Sequence, residues 1–285
     1  MPTTDAVNTY RPLLLSIAYR MTGEVMTSED IVQDTLTNWL SRSPDSVQDP
    51  KAYLAKSVMN ASLNHLSAVK RQREAYKGTW LPEPISWPHP VLDAKLDISY
   101  GFLLLLEKLS PLERAIFLLK ESFELDYTEL ADQFDITEAN CRQLYHRAKE
   151  KIASSTRRFT IDPHHQQTLL DAFSQASTTG DIDSFMQLLK TDVVLYSDGG
   201  GKVRTAINPL FGRMVVERYL RSMVEKRGAE LTVRTALING SIAFLFSDQD
   251  TQLVTTVMVL DIDEQGIGHI FSLRNPDKLA HLQKN

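Results

Sequence analysis

The spacing of apolar residues divides the chain into a helical first half and a mixed second half. Apolar positions recur at helical spacing through residues 8–77, as in LLLSIAYRM and AYLAKSVMNASLNHL, and again through residues 93–158. From about residue 166, the stretches QTLLDAFSQAST and IDSFMQLLK predict two more helices. Stretches that predict β-strands follow, and VVERYLRSMVEKR predicts a further helix between them. This order of elements predicts an all-α first part of the chain, followed by an α+β domain with a mostly antiparallel sheet.

Local signals place several boundaries. Ser28 followed by two acids predicts a helix start, and Asp49 before Pro50 predicts a cap with proline in the first turn. Asn239-Gly240, between β-branched and aromatic runs, predicts a two-residue hairpin. WLPEPISWPHP, residues 80–90, holds four prolines and predicts an extended linker. Its two tryptophans indicate that the linker packs against another part of the protein.

Residues 126–152 have the pattern of a helix-turn-helix. A helix carrying Leu130, Ala131 and Phe134 is followed by a short turn, and Thr137 can cap the next helix. The apolar side of the second helix carries Ala139, Cys141, Leu144 and Ala148. Asp135 stands in the turn, where Asp tolerates a left-handed conformation. An ordinary helical hairpin is the alternative, but Arg, Asn and Gln on the polar side can make bidentate contacts with base edges.

Composition adds a local charge pattern and excludes several classes. The 285-residue chain has a formal net charge of -5, yet residues 51–77 hold six Lys and Arg against one acid, as do residues 139–158. Acidic blocks precede both segments. This pattern favours two kinds of partner, a polyanion and a basic protein surface. A single cysteine, Cys141, excludes internal disulfides and multi-cysteine zinc sites. No signal peptide or membrane span is predicted, so we expect a cytoplasmic protein.

Five motifs in order carry a resemblance that covers nearly the whole chain. LLLSIAYRMTGEVMTSEDIVQDTLTNWL resembles region two of the sigma-70 family, of the extracytoplasmic-function (ECF) type, and LEKLSPLERAIFLLKESFELDYTELADQFDITEANCRQLYHRAKEKI resembles region four. REAYKGTWLPEP, DGGGK and NPDKL resemble signatures of the sigma-J-like ECF group, which carries a C-terminal SnoaL-like domain. The resemblance implies sigma region two at residues 1–77, a linker at 78–95, region four at 96–160 and a SnoaL-like domain of the nuclear-transport-factor-2-like fold at 161–285.

The resemblance implies a promoter-specificity subunit of RNA polymerase, which binds the clamp helices and flap of the core enzyme and promoter DNA. The implied polymerase-binding residues are Asp30, Gln33 and Asp34, whereas Trp39 is expected in the core. The implied minus-ten residues are Asn60, Asn64, Lys70, Arg71 and Arg73, although Asn64 stands where the family usually has Asp. The implied minus-thirty-five residues are Glu138, Asn140, Arg142, Gln143, His146, Arg147 and Lys149. The loop SRSPDSVQDP lies where ECF proteins hold a flipped-out base, but it has no aromatic residue for stacking, and no residue in it is assigned.

The C-terminal domain has a catalytic and a regulatory interpretation. A proton-abstracting site inside the cone could use Asp198, Tyr196 and His269. No convincing dyad assembles from them, and an exposed strand position is the favoured interpretation of His269. His164-His165 is interpreted as a solvated pair, so neither metal nor cofactor is expected. We therefore expect no enzyme activity. Binding of an unidentified small ligand in the cone is left as an alternative.

The regulatory interpretation has this domain controlling the sigma regions in cis, with no separate anti-sigma factor. The residues expected to act at interdomain contacts are Trp80, Pro82, Asp198, Gly199, Gly200, Gly201, Lys202, Asn275, Pro276, Asp277 and Lys278. DGGGK lacks the Ser or Thr of a phosphate-binding loop and predicts a turn or bulge instead. A rival class is a helix-turn-helix regulator with a ligand-binding domain and no polymerase docking. Such a regulator would not need the acidic helix and the basic helix found in residues 10–77.

Overall fold

A computed structural model describes residues 4–41, 47, 49–86, 89, 98–156 and 182–284. The chain forms two compact units. The first unit comprises the described residues of Met1–Glu74, Pro88–Ile98 and Phe102–Thr156, and the second those of Ala75–Trp87, Ser99–Gly101 and Arg157–Asn285. Of the predicted linker, residues 78–95, the described residues 78–86 belong to the second unit and residue 89 to the first.

The helices in the first half of the chain have well-defined bounds. They are α1 (Thr4–Thr22), α2 (Val25–Leu40), α3 (Pro50–Glu74), α4 (Tyr100–Glu107), α5 (Pro111–Phe123), α6 (Tyr127–Phe134) and α7 (Glu138–Thr156). The apolar stripes of α1, α2 and α3 meet in one core, which includes Leu14, Met21, Val32, Trp39 and Val58. No helix in the described part of the chain is long and apolar enough to cross a membrane.

Two of the three predicted helix starts are confirmed. Asp49 Oδ1 accepts a hydrogen bond from the Ala52 amide at 3.0 Å, with Pro50 as the first residue of α3. Thr137 Oγ1 accepts from the Asn140 amide at 3.2 Å at the start of α7. The predicted start at Ser28 is wrong, because α2 begins at Val25. Ser28 is buried one turn inside that helix, and its hydroxyl donates to the Glu24 carbonyl.

The described residues of the second unit form one six-stranded sheet. Its elements are α8 (Ile182–Gln187), β1 (Leu189–Asp198), β2 (Leu210–Phe211), α9 (Arg213–Arg227), β3 (Leu231–Ile238), β4 (Ser241–Asp248), β5 (Val254–Asp263), β6 (Gly266–Leu273) and α10 (Pro276–Leu279). The strand order is β2-β1-β6-β5-β4-β3, and only the pairing of β1 with β6 is parallel among these strands. The helix predicted at QTLLDAFSQAST and the pair His164-His165 lie outside the described residues.

The hairpin signal is confirmed. Asn239 and Gly240 join β3 to β4 with φ of 52° and 75°, and Ile238 pairs with Ser241. These positive φ values are those that a tight hairpin turn requires and that Asn and Gly tolerate best. Asp135 likewise has φ 52° and ψ 51°, so the predicted left-handed turn of the helix-turn-helix is also confirmed.

The two faces of the sheet differ in what covers them. Val193, Leu195 and Ile270 lie on one face, in a cluster with apolar side chains of α8 and α9. Because neighbouring residues of a strand point to opposite faces, Tyr196 and His269 lie on the other face. This second face carries the contacts to the linker described below.

Candidate functional site

The acidic face of α2, which is predicted to bind polymerase, is exposed to solvent. Asp30, Gln33 and Asp34 are all exposed and, at a spacing of three and four residues, share one side of the helix. Trp39 is 3% exposed, so its predicted core position is confirmed. The arrangement can present two carboxylates and an amide to a basic protein surface.

Four of the five predicted minus-ten residues are exposed, and the fifth, Arg73, forms ion pairs within the protein. Asn60 and Asn64 lie exposed one turn apart on α3, and Lys70 and Arg71 are exposed near its C-terminal end. Asn60 Oδ1 accepts a 3.4 Å hydrogen bond from Gln133 Nε2 of α6. Helix α3 thus contacts α6, the first helix of the helix-turn-helix, through a residue predicted to meet DNA.

Arg73 belongs to a charge network that sequence reasoning did not identify. Its guanidinium pairs with Glu24 at 3.0 Å and Glu107 at 3.3 Å. Glu107 also pairs with Arg114 at 2.7 Å, and Arg114 donates to the Met21 carbonyl at 2.5 Å. Arg114 is 3% exposed, an unusual burial for a charge in the apolar helix α5. The network therefore ties α1 and α3 to α4 and α5.

The recognition helix α7 exposes the residues predicted to face DNA. Asn140, Arg142, Gln143, His146, Arg147 and Lys149 are exposed, and Glu138 is partly exposed. Cys141, Leu144 and Ala148 are buried. Ala139, expected on the apolar side, is exposed, because a spacing of two residues in an α-helix places it on nearly the opposite side from Cys141.

Acidic residues of α5 hold part of the basic face of α7. Glu113, whose side chain is 6% exposed, pairs with Lys151 at 2.8 Å and with Arg147 at 3.6 Å. Burial opposes ionisation of Glu113, but hydrogen bonds from Lys151 and Ser110 outweigh it and lower its pKa. Tyr145 donates to Glu121, and burial together with this bond raises the pKa of Tyr145 to about 12. Two ionic or polar anchors on α5 therefore fix the orientation of α7 beside the apolar contacts.

The linker is held by a buried ionic centre in the second unit. Asp198, at the end of β1, is fully buried. Its Oδ2 accepts from Lys278 Nζ at 2.8 Å and from the Leu81 amide at 2.9 Å, and its Oδ1 accepts from the Tyr76 hydroxyl at 2.5 Å. Desolvation and the neighbouring carboxylate raise the pKa of Tyr76, so the phenol stays protonated and donates. We name Asp198, Lys278, Tyr76 and the Leu81 backbone the linker clasp.

Further contacts surround the linker clasp. Lys278 Nζ also donates to the Leu81 carbonyl and lies 4.0 Å from the Trp80 ring centroid, a cation–π distance. Leu81, Pro82 and Ile85 are buried. Asn239 Oδ1 accepts from the Ile85 amide at 2.8 Å, so the hairpin turn also contacts the linker. The expectation that the linker packs on another part of the protein agrees with these contacts; Trp87 lies outside the described residues.

The three glycines form the turn that the sequence predicts. Gly200 and Gly201 have φ of 61° and 71°, and the amides of Lys202 and Val203 donate to the Gly199 carbonyl. A Cβ on Gly200 would lie 2.4 Å from Asn275, the cap of α10, so the two signature motifs are in direct contact. Lys202 pairs with Asp277 at 2.6 Å in an exposed ion pair. DGGGK and NPDKL therefore meet at one place, with Asp198 and Lys278 buried and Lys202 and Asp277 at the surface.

The catalytic candidates do not assemble on the face that α8 and α9 cover. Tyr196, His269 and Phe271 stack on the opposite face. His269 is 8% exposed and its Nδ1 lies 2.9 Å from Asp261 Oδ2, so the expected exposed position of His269 is wrong. Alternation along β6 gives the face of a residue but not whether that face is covered, which is why the sequence misled here. Burial raises the pKa of Asp261 despite the histidine beside it.

Comparisons with known proteins agree with this architecture. Residues 6–72 match the family model for sigma-70 region 2, and residues 101–152 match that for sigma-70 region 4. The two helical parts therefore define a sigma-70-type transcription factor. The ECF RNA polymerase sigma factor SigJ of Mycobacterium tuberculosis is 31% identical over 286 residues, which cover 95% of this chain and 91% of SigJ. The chain belongs to the family of ECF RNA polymerase sigma factors.

Structural comparison extends the likeness over both units. A crystal structure of Mycobacterium tuberculosis SigJ aligns with a TM-score of 0.78 and 28% identity, covering 98% of each chain. A SnoaL-like protein from Burkholderia thailandensis aligns with 40% of this chain and 97% of its own length, at a TM-score of 0.31 and 14% identity. The likeness to SigJ confirms the fold as helical sigma domains followed by an α+β, sheet-containing domain. The chain directs RNA polymerase to specific promoters and initiates transcription, and the rival regulator without polymerase docking is not favoured.

Proposed function

We propose that the C-terminal domain controls this sigma factor in cis by holding or releasing the linker through the linker clasp. The observation that carries the proposal is the fully buried Asp198, which binds Tyr76 just before the linker and the Leu81 amide within it. A buried ion pair such as Asp198–Lys278 favours two states, one in which the pair is intact and one in which both groups are solvated. Intermediate arrangements are strongly unfavourable, because they leave a buried charge without its partner.

The role of this domain is regulatory rather than catalytic. The polar side chains near the linker form hydrogen bonds with backbone and side-chain groups of the same unit. These side chains are Asp198, Lys278 and Asn275. Control within one chain also makes a separate anti-sigma factor unnecessary. The proposed site of action is the cytoplasm, where the core polymerase and promoter DNA are met.

In the proposed complex, the exposed face of α2 docks on the clamp helices of the core enzyme. Asn60, Asn64, Lys70, Arg71 and Arg73 serve the minus-ten element. Helix α7 enters the major groove at the minus-thirty-five element, with the adjoining domain near the flap. Phosphate contacts by lysine and arginine position the protein, whereas base contacts specify sequence.

Docking is tested by replacing Asp30, Gln33 and Asp34 together with Ala. All three are exposed, so we expect unfolding stability within about 0.5 kcal/mol of the parent chain. Run-off transcription with core polymerase should fall at least about tenfold, because a loss of roughly 1.4 kcal/mol in binding already has that effect. Replacing the exposed Glu225 and Lys226 of α9 with Ala serves as the surface control. Full output from the triple variant would contradict docking through this face.

Control through the linker clasp is tested with Asp198→Asn in the same transcription assay. The substitution removes the charge that Lys278, the Tyr76 hydroxyl and the Leu81 amide share. It should shift output by about fivefold or more, the size of a typical coupling between sites. A rise would identify the linker clasp as a restraint, and a fall would identify it as a support of the active arrangement. The proposal of cis control would be contradicted if the variant, with its helices shown intact by circular dichroism, gave the same amount of transcript as the parent chain.

A further inference from the structure

The start of α9 carries an exposed apolar surface that belongs to neither sigma region. Met214 is 80% exposed, and Phe211, at the end of β2, is 65% exposed. Val215 is exposed as well, and only Gly212 separates β2 from α9, so these side chains lie close together. Arg218 is exposed one turn after Met214, on the same side of the helix. We name Phe211, Met214, Val215 and Arg218 the α9 patch.

The α9 patch lies in a basic stretch of an acidic protein. Residues 202–221 hold five Lys and Arg against one acid, Glu217, although the formal net charge of the chain is -5. Arg213 pairs with Glu217 at 2.7 Å, and Arg221 pairs with an aspartate of α8. Among the described residues, no acidic side chain pairs with Arg218. Arg218 therefore has a positive charge available for a partner.

The residue types of the α9 patch indicate a protein partner. Phosphate groups need only cations, whereas this patch combines three apolar side chains with one arginine. Phenylalanine, methionine and arginine are among the residues enriched in protein–protein interfaces. Exposed apolar side chains that cluster in this way mark interaction sites. The surface that fits the α9 patch therefore has an apolar side chain next to exposed carboxylates.

The exposed face of α2 has these complementary features. Met26 is 58% exposed and stands one turn before the exposed Asp30, and Asp34 follows one turn later. On α9, Met214 likewise stands one turn before Arg218. When the two helices pack in parallel, the register that brings Met26 to Met214 also brings Asp30 to Arg218. The two surfaces thus match in the order of apolar and charged positions and in the sign of the charge.

We propose that the α9 patch binds the α2 face of a second copy of this chain, in a dimer that makes this contact twice about a two-fold axis. The proposal rests on the proposed function, in which the same face of α2 docks on polymerase. A second copy and the clamp helices then compete for one surface. Dimerisation withholds the sigma factor from transcription at high concentration, and core polymerase dissociates the dimer by binding the monomer.

Analytical ultracentrifugation of the full chain from about 0.1 to 100 μM tests the proposal, since this range spans micromolar dissociation constants. The parent chain should pass from monomer to dimer as its concentration rises. Arg218→Glu places a carboxylate opposite Asp30 and should raise the dissociation constant at least about tenfold for each contact, hence about 100-fold for the dimer. Met214→Asp should shift the dissociation constant in the same direction.

A matched control separates the α9 patch from charge in general. Arg234→Glu makes the same change at an exposed arginine of β3, the strand at the opposite edge of the sheet from β2. This variant should dimerise like the parent chain. Because Arg218 is exposed, Arg218→Glu should fold, so the proposal stays testable if Met214→Asp does not.

Exchanging the two charges tests the pairing itself. Asp30→Arg alone should weaken dimerisation as much as Arg218→Glu does. The chain that carries both substitutions restores opposite charges and should recover at least about tenfold of the lost affinity, because residues in contact are energetically coupled. Ultracentrifugation reads association without polymerase, so this result does not depend on whether α2 docks on the clamp helices.

Run-off transcription with core polymerase reports the competition. Well above the dissociation constant of the parent dimer, Arg218→Glu should give more transcript than the parent chain. Well below that concentration, the two chains should give equal amounts. If Arg218→Glu gives less transcript at every concentration, the α9 patch serves polymerase rather than a second copy, and the proposal is overturned.

The outcomes of ultracentrifugation are equally distinct. A parent chain that stays monomeric over the whole range overturns the proposal. A dimer that persists in folded Arg218→Glu and Met214→Asp also overturns it, because another surface then holds the two copies. If exchanging the charges does not restore association, α2 is not the occupant. If the dimer behaves as expected but the triple alanine variant of α2 transcribes fully, polymerase docking through α2 fails while the dimer stands.

Discussion

Replacing Lys278 with Met is expected to lower the free energy of unfolding of the second unit by about 3–5 kcal/mol, the usual loss when one partner of a buried ion pair is removed. The side chains of Lys278 and Asp198 are 7% and 0% exposed. The variant therefore leaves a buried carboxylate with only neutral donors. The Leu81 carbonyl also loses the hydrogen bond from Lys278.

A second lysine–aspartate pair a few residues away provides the control. Lys202 and Asp277 lie 2.6 Å apart with side chains 55% and 62% exposed. Since exposed pairs contribute at most about 1 kcal/mol, Lys202→Met should leave unfolding nearly unchanged. Urea unfolding of the full chain, with hydrogen exchange of β1 and β6 amides to report on this unit, measures both. Equal losses in the two variants would show that burial does not set the strength of the linker clasp.

The same substitution tests the hold on the linker. Amides of residues 76–85 should exchange faster in Lys278→Met, since the variant removes the cation over Trp80 and a partner of Asp198. In Lys202→Met, these amides should exchange as in the parent chain. Protection that persists in a folded Lys278→Met would mean that the apolar burial of Leu81 and Ile85 alone retains the linker.

Much of the fold follows from short-range signals in the sequence. Asn239-Gly240, Asp135 and the caps at Asp49 and Thr137 act within a few residues, so their conformations could be predicted from local chemistry. Ser28 shows the limit of such signals. A polar residue followed by acids is a reasonable cap, but here its hydroxyl bonds the Glu24 carbonyl from inside the helix.

The candidate sites were predictable where motifs carry them and not where distant residues meet. Asp198 and Lys278 stand in the quoted motifs, yet their pairing joins residues 80 positions apart, and the Tyr76 bond spans 122 positions. No local pattern reports such a contact. His269 was misjudged because alternation does not reveal which face of a sheet is covered. A charge inside the apolar run LERAIFLL was the available signal for Arg114.

Replacing that buried arginine is the other substitution with a large expected effect. Arg114→Met should lower the unfolding free energy of the first unit by about 3 kcal/mol, the low end for a broken buried pair. The low end applies because Glu107 is 25% exposed and can recover part of its solvation. The Met21 carbonyl, at the end of α1, also loses its charged donor. Arg71→Met, at an exposed arginine of α3, should stay within about 0.5 kcal/mol of the parent chain.

The functional consequence of Arg114→Met concerns Arg73. Arg73 is predicted to meet DNA phosphate, yet it pairs with Glu24 and Glu107 and is held between region two and region four. To bind DNA, Arg73 must then leave Glu24 and Glu107 and pair with a phosphate instead. Arg114→Met should make α4 and α5 exchange amide protons faster, because Arg114 links Glu107 of α4 to the Met21 carbonyl of α1. If these helices keep parent protection while the unit is destabilised, the network stabilises α5 alone and does not couple the two sigma regions.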